Sequence, residues 1–281
     1  MKEVFFSIVL LLLPWVLKAQ FNPFEKRKFH EIQFKRNVKE VEMIEVIFEV
    51  RDGKLTIIRE RIAQKAFFDT SGYLYKWVMY SENGSFLYTV ITTTVRNDRS
   101  LLVDSTFGSD GKFDGREIIS FNKATREFSK KYYVKNGTLG NMYVAKFDSR
   151  NRDIEVRNGL PNKSSYEVSK NSYGSDGLTM TQRNFDVYGK LIGTTQSVYL
   201  PDGKLAKTKY TATGENVSFL TDYEYNKYGF ESSEYRRKSD GSFKLIRDYS
   251  YTYDPVGNMI ERKLSKNGSL DIFLKFRIAY Y

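Results

Sequence analysis

The chain of 281 residues contains no cysteine. Disulfides, a Cys–His nucleophile pair and lipid attachment through an N-terminal cysteine are therefore excluded. Histidine is nearly absent too. His30 stands alone in the charged stretch Phe24 to Lys39, so no His/Cys metal centre can be assembled, and a Ser-His-Asp triad would have to use this one residue. Only five prolines and no low-complexity tract are present, which argues against long disordered linkers. No long stretch after the N-terminus carries a 3.6-residue apolar period, so helices are not expected. The Asp-Gly pairs lack the D-x-D-x-D-G spacing followed by Glu of a calcium loop. No cofactor is expected.

What the chain does have is turns and aromatics. Tyr and Phe number 21 each, a composition that favours strands. Asp69-Thr70-Ser71-Gly72, Asp186-Val187-Tyr188-Gly189, Asn226-Lys227-Tyr228-Gly229 and Asp254-Pro255-Val256-Gly257 share one form, with Asp or Asn opening the turn and Gly returning the chain. A shorter form ends in Gly84, Gly111, Gly137, Gly177, Gly203, Gly241 and Gly268, each preceded by Asn or Asp, the strongest short hairpin signal. Gly177, Gly203, Gly229 and Gly257 are 26, 26 and 28 residues apart, and Gly189, Gly214, Gly241 and Gly268 are 25, 27 and 27 apart. The series interleave, leaving strands of about eight residues. The repeat fades between Asn141 and Lys170, where Asn151 and Asn162-Lys163 stand in place of glycine. Between turns the side chains alternate: Phe243, Leu245, Arg247, Tyr249, Tyr251 and Tyr253 fall on one face, Lys244, Ile246, Asp248, Ser250 and Thr252 on the other. The expected fold is all-β: about fifteen antiparallel strands in a hairpin meander, coiled or partly wrapped by strand twist. A closed outer-membrane barrel is the architectural rival; the final strand, with Leu270, Ile272, Leu274, Phe276, Ile278 and Tyr280 on one face, argues for it, and Lys, Arg and Glu on outer faces argue against it.

The apolar run Val4 to Leu17 followed by Lys18-Ala19-Gln20 has the length of a signal-peptide core and is short for a membrane span. Residues 1–19 are assigned to a signal peptide, 20–37 to an N-terminal arm and 38–281 to one repeat domain. The protein is then exported to the periplasm, the outer membrane or the exterior. The formal charge is +11, or +10 once Lys2, Lys18 and Glu3 leave with residues 1–19.

Tyr253-Asp254-Pro255-Val256-Gly257-Asn258-Met259-Ile260 resembles the Y-D-x-x-G-x-hydrophobic signature of the Rhs/YD-repeat family. Phe68-Asp69-Thr70-Ser71-Gly72-Tyr73-Leu74 and Phe185-Asp186-Val187-Tyr188-Gly189-Lys190-Leu191 match it with Phe for Tyr. The alternation with Asn-Gly-Ser and Asp-Gly-Ser turns is similar to the small exported YD-repeat proteins of Bacteroidetes, over residues 38–281. The resemblance implies the fold rather than a role. In large relatives the repeats wind into a shell that can enclose a toxic domain; this chain ends one strand after its last repeat, and lacks the paired-Asp motif those proteins use for self-cleavage.

For function, the expectation is a non-enzymatic exported binding or scaffold protein that engages its partner through a sheet face or strand edge. The alternative is a module binding carbohydrate or another envelope polymer. Candidate binding residues are the basic cluster Arg236, Arg237 and Lys238, facing an envelope protein or anionic glycan, and the ring row Tyr249, Tyr251 and Tyr253, whose rings can stack on sugars or pack as core. Export argues against nucleic acid. No catalytic constellation is visible: the conspicuous Asp residues sit at turn positions, where they bond the backbone. Asn83-Gly84-Ser85, Asn136-Gly137-Thr138 and Asn267-Gly268-Ser269 match the glycosylation pattern but read as hairpin turns.

Overall fold

The computed structural model describes residues 28–29, 32–34, 37–51, 54–96, 98, 100–159, 166–214, 218–237 and 241–281. The segment assigned to the signal peptide, His30 and Lys238 lie outside these residues. A two-residue pair, β1 (Lys28–Phe29) and β2 (Ile32–Gln33), precedes the wall. The wall strands are β3 (Val38–Arg51), β4 (Lys54–Phe68), β5 (Leu74–Tyr80), β6 (Phe86–Thr94), β7 (Leu101–Gly108), β8 (Phe113–Asn122), β9 (Glu127–Val134), β10 (Leu139–Phe147) and β11 (Asp153–Gly159). They continue as β12 (Tyr166–Tyr173), β13 (Thr179–Phe185), β14 (Leu191–Tyr199), β15 (Leu205–Ala212), β16 (Ser218–Tyr225), β17 (Glu231–Arg237), β18 (Phe243–Tyr253), β19 (Met259–Lys266) and β20 (Ser269–Tyr280).

Each strand pairs antiparallel with the next, and β20 pairs with β3, so eighteen strands close into a barrel. The alternation and turns lead to the meander; closure goes one step beyond the coiled or partly wrapped sheet. It also corrects an expectation about edges. A strand edge cannot be the general docking surface, because closure pairs the flanks of the wall. Nor does the repeat fade at Asn151, one of the two places where glycine is missing; the other, Asn162-Lys163, lies outside the described residues. Asn151 takes the left-handed region (φ 59°) and its N–H donates to Asp148 O at 3.0 Å, doing what Gly257 does (φ 86°, N–H to Asp254 O at 2.9 Å). Asn tolerates this conformation better than other residues with a Cβ.

The two interleaved glycine series turn out to be the two ends of the barrel. Gly72, Gly177, Gly203, Gly229 and Gly257 turn the chain at one rim, together with the start of β3 and the end of β20. Gly84, Gly111, Gly137, Gly189, Gly214, Gly241 and Gly268 turn it at the other.

Register separates the wall's two faces. Val41, Ala66, Trp77, Val90, Thr106 and Gly115 are successive cross-strand partners and share one face. That face is the concave one: Ala66 and Phe68 are 0 % exposed and Ala145 1 %, although strand contacts run between neighbours around the ring. Phe121 and Phe147, two strands apart, meet there at 6.4 Å. An eighteen-stranded barrel is wide enough for an aqueous lumen. The convex face carries Lys131, Lys170, Arg183, Lys209, Lys263 and Lys275 along the strands.

The buried clusters gather at the first rim. Val38, Phe68, Met259 and Phe276 form one with Phe34; Leu102, Ile119, Phe128 and Phe147 form the second; Met180, Tyr199 and Leu205 form the third. Neighbouring turns of this rim are also bonded to one another. Arg126 Nη1 donates to Asp148 O (2.6 Å) and Asn151 Oδ1 (3.0 Å), Asn226 Nδ2 to Tyr253 Oη (3.0 Å) and Asn258 Nδ2 to Tyr280 Oη (2.7 Å). We call it the tied rim. The opposite, open rim has exposed turns, and a Cβ at Gly84, Gly111, Gly137, Gly189, Gly214, Gly241 or Gly268 would meet nothing within 4 Å.

Candidate functional site: a basic mouth above a tyrosine ladder

The eleven turn glycines singled out in the sequence all have φ between 67° and 89°, the region glycine enters without strain. They build the scaffold. Of the other two predicted groups, Arg236 of the basic cluster and the tyrosine row share the concave face of one section of wall, β15 to β19.

β18 runs from the open rim to the tied rim. Arg247, Tyr249 and Tyr251 pair with Lys266, Leu264 and Arg262 of β19, all on the concave face. The strict alternation expected for β18 breaks near its start. Glu234 pairs with Arg247 but Tyr235 with Leu245, so Ile246 is an extra residue in a bulge. Lys244, expected on the opposite face, therefore joins Arg247 inside, opposite Arg236, while Phe243 and Leu245 turn outward.

A cleft of about 980 Å³ opens here at the open rim. Lys209, Arg236, Arg237, Lys244, Arg247 and Lys266 line it, against one acid, Glu234; by register Arg236, Lys244, Arg247 and Lys266 lie on the concave face and Lys209 and Arg237 on the convex one. Of the six cations, Arg247 alone is paired with an acid among the described residues, its Nη1 donating to Glu234 Oε2 at 2.8 Å. Arg236 lies over the Phe219 ring at 4.9 Å and Arg237 over Phe243 at 5.0 Å. Stacking holds the guanidinium groups in place while leaving their in-plane donors for an anion.

Below the cleft the tyrosines form a ladder. Tyr249 and Tyr251 are 6.3 Å apart at 13°, and Tyr251 and Tyr253 6.4 Å apart at 32°. Phe230 packs on Tyr251 (5.5 Å) and Tyr228 on Tyr253 (4.1 Å). Burial pushes the Tyr249 and Tyr251 hydroxyls above the usual tyrosine value, so both stay protonated at neutral pH. The Tyr251 hydroxyl donates to Glu231 O at 2.6 Å. Tyr253 at the tied rim is core; Tyr249, next to the cleft and under Arg262 at 5.1 Å, is the rung best placed for a ligand. Sequence reasoning saw the two groups separately. It missed Lys244, Arg247 and Lys266 as their link, because the bulge at Ile246 leaves no mark in the alternation.

Other titratable groups are weaker candidates. Asp104 and Glu117 are direct cross-strand partners on the concave wall, with Lys130 Nζ 3.9 Å from Glu117. Burial raises both carboxyls above their ordinary values, and Asp104 Oδ1 has no hydrogen-bond partner. Asp153 is fully engaged by Tyr173 Oη (2.9 Å) and Asn171 Nδ2 (2.7 Å). A second cleft of about 440 Å³ beside β7 and β8 at the tied rim is closed by its own Lys123–Asp98 pair at 3.1 Å. No group of three or more metal-ligating side chains occurs among the described residues.

No family model matches the chain, and no curated protein matches it. Among solved structures it is similar to a porin-like protein from Bacteroides uniformis ATCC 8492, at 9% identity and a TM-score of 0.42, over 86% of this chain and 98% of that one. It is also similar to part of the TcdB2-TccC3-TEV structure, at 14% identity and a TM-score of 0.21, over 73% of this chain and 12% of that one. The Photorhabdus luminescens Tc holotoxin pore with the TccC3-D651A mutation gives 14% identity and a TM-score of 0.20, over 80% of this chain and 14% of that one. Likenesses at this level carry no argument about function.

Proposed function

We propose that the chain is an exported, non-enzymatic binding protein of the cell envelope, a YD-repeat barrel that takes an anionic envelope glycan at its basic mouth. The observation that carries this reading is the cleft of β15 to β19, where Arg236, Lys244, Arg247 and Lys266 share the concave face with the tyrosine ladder against one acid, Glu234. Cations recognise the carboxylate, sulfate or phosphate groups of an acidic polymer, and rings with polar tips stack on sugar faces. Among the described residues, the lining of the mouth brings no nucleophile beside a base, which favours binding over turnover.

A second reading, an outer-membrane barrel, is favoured by closure itself: only a closed sheet satisfies its backbone in lipid. The convex face opposes it, since Lys131, Lys170, Lys209 and Lys263 stand mid-strand where each would cost roughly 2–4 kcal/mol at a bilayer midplane. Recovery of folded protein without detergent supports the first reading; a strict detergent requirement supports the second.

The binding reading is tested on a glycan array. Arg236→Glu with Lys244→Glu is expected to weaken binding of acidic glycans by roughly tenfold or more, with neutral glycans bound weakly throughout. Raising ionic strength should weaken the unmodified protein in the same direction. Full retention by the double variant would remove the cleft from the mechanism.

A further inference from the structure

One element does not belong to the closed wall. β3 pairs with β20 only from Val38 to Glu45, and β4 pairs with β5 only from Gln64 to Phe68. The β3–β4 ladder nevertheless continues to Arg51 opposite Lys54. The chain from Val46 to Arg51 and from Lys54 to Ile62 is thus a two-stranded ribbon at the open rim, extending past the pairing of both flanking strands. Arg61 Nη1 and Arg59 Nη2 donate to the carbonyls of Ser81 (2.9 Å) and Glu82 (3.2 Å), tying its base to the next hairpin.

The ribbon is amphipathic. Val50 pairs with Leu55 and Phe48 with Ile57, so these four share one face, while Glu49 and Thr56 share the other; Ile58 is the extra residue of a bulge. Val50, Leu55, Ile57 and Ile58 are 54, 40, 46 and 60 % exposed. A lone two-stranded ribbon is marginal in water, and a contiguous apolar face on one marks a contact site. The neighbouring hairpin adds exposed Phe86 and Leu87, and Phe113, Val134 and Phe243 are exposed further round the same rim.

We infer that the open rim seats the protein on an anionic lipid surface, with the ribbon's apolar face entering the headgroup region. Two observations select this occupant. The apolar side chains lie on separate hairpins around one ring, and a plane can meet them together where a peptide would meet one. The same rim carries the cations of the cleft, together with Lys54 and Arg59, which complement anionic headgroups. A second copy stacked rim to rim would set those cations against their own kind. The contact also places the basic mouth at the membrane plane, where a surface-displayed polymer would be met.

The test is co-sedimentation of the purified protein with phosphatidylglycerol vesicles and with phosphatidylcholine vesicles. Salt-sensitive binding to the first and little to the second is expected. Ile57→Asp with Ile58→Asp alters only exposed side chains and should reduce vesicle binding by roughly tenfold or more, with the thermal midpoint unchanged. Binding that survives the double variant, or no binding to phosphatidylglycerol, overturns the inference. So does a dimer in light scattering that the variant dissociates, which would make a second copy the occupant. Material that resists alkaline carbonate extraction would mark a spanning barrel and defeat the functional reading as well; no vesicle binding by the unmodified protein, with its glycan binding intact, defeats this inference alone.

Discussion

The two rims are built from the same turns and packed in opposite ways. Phe68-Asp69-Thr70-Ser71-Gly72 at the tied rim and Phe185-Asp186-Val187-Tyr188-Gly189 at the open rim close alike: the Gly N–H donates to the Asp carbonyl at 2.8 and 2.9 Å, and the Asp carboxyl accepts a later backbone N–H. Yet Phe68 is completely buried, whereas Phe185 is only partly covered and Tyr188 is 92 % exposed. The local code therefore makes the hairpin, and position in the barrel decides whether its aromatic is core. Stability is concentrated at the tied rim, which leaves the open rim free to present charge and apolar surface.

The largest expected effect tests that division of labour. Phe68→Ala should cost about 3–5 kcal/mol, the usual loss for a buried Phe. Phe243→Ala, on an exposed ring of the open rim, should stay within about 0.5 kcal/mol. Urea denaturation of the two variants measures both. Similar losses would mean that the rims share the packing load.

Backbone strain should ignore the difference between rims. Gly257→Val at the tied rim and Gly268→Val at the open rim place a β-branched residue at φ 86° and 83°, and each should cost on the order of 1–3 kcal/mol. From sequence, Asn151 marks a poorly formed turn, and a change there should be mild. With φ at 59° and its Oδ1 bonded to Arg126 at 3.0 Å, Asn151→Val should instead cost as much as Gly257→Val. A clear excess at Gly257 would point to its packing rather than to φ.

Much of this was legible beforehand, for identifiable reasons. Asn-Gly and Asp-Gly turns fix hairpins locally, so strand positions and antiparallel order follow from residues such as Gly111 and Gly241. The two glycine phases already held the two ends, but a phase does not say which end packs. Closure was not legible, because it depends on one long-range pairing, Phe276 with Met43, that no local signal encodes. Strand number was under-read, about fifteen against the eighteen of the wall, partly because Asn151 concealed a turn. At the site, Arg236, Arg237 and Tyr249 were visible as types; their convergence needed the bulge at Ile246. Lys238, part of the same cluster in sequence, lies outside the described residues.

The smallest effect concerns the belt between the rims, where Asp104 and Glu117 face each other on the concave wall. Burial raises Asp104 above its ordinary 3.8, against the lowering influence of Thr92 and Lys130. Burial likewise raises Glu117 above 4.5, with Lys130 lowering it and Asp104 raising it further. The folded protein then holds these protons at pH values where the unfolded chain has released them. When the unfolded state binds fewer protons, stability falls as pH rises, here from about 3.8 upward through the raised folded values. Asp104→Asn removes one buried charge and keeps the shape. The variant should match or exceed the unmodified protein in stability at neutral pH, and its melting temperature should fall less between pH 4 and pH 7. A variant that is less stable at every pH, with the slope intact, would show that the carboxylate is held by its partners rather than strained by burial. The belt would then belong with the tied rim as a stabilising element.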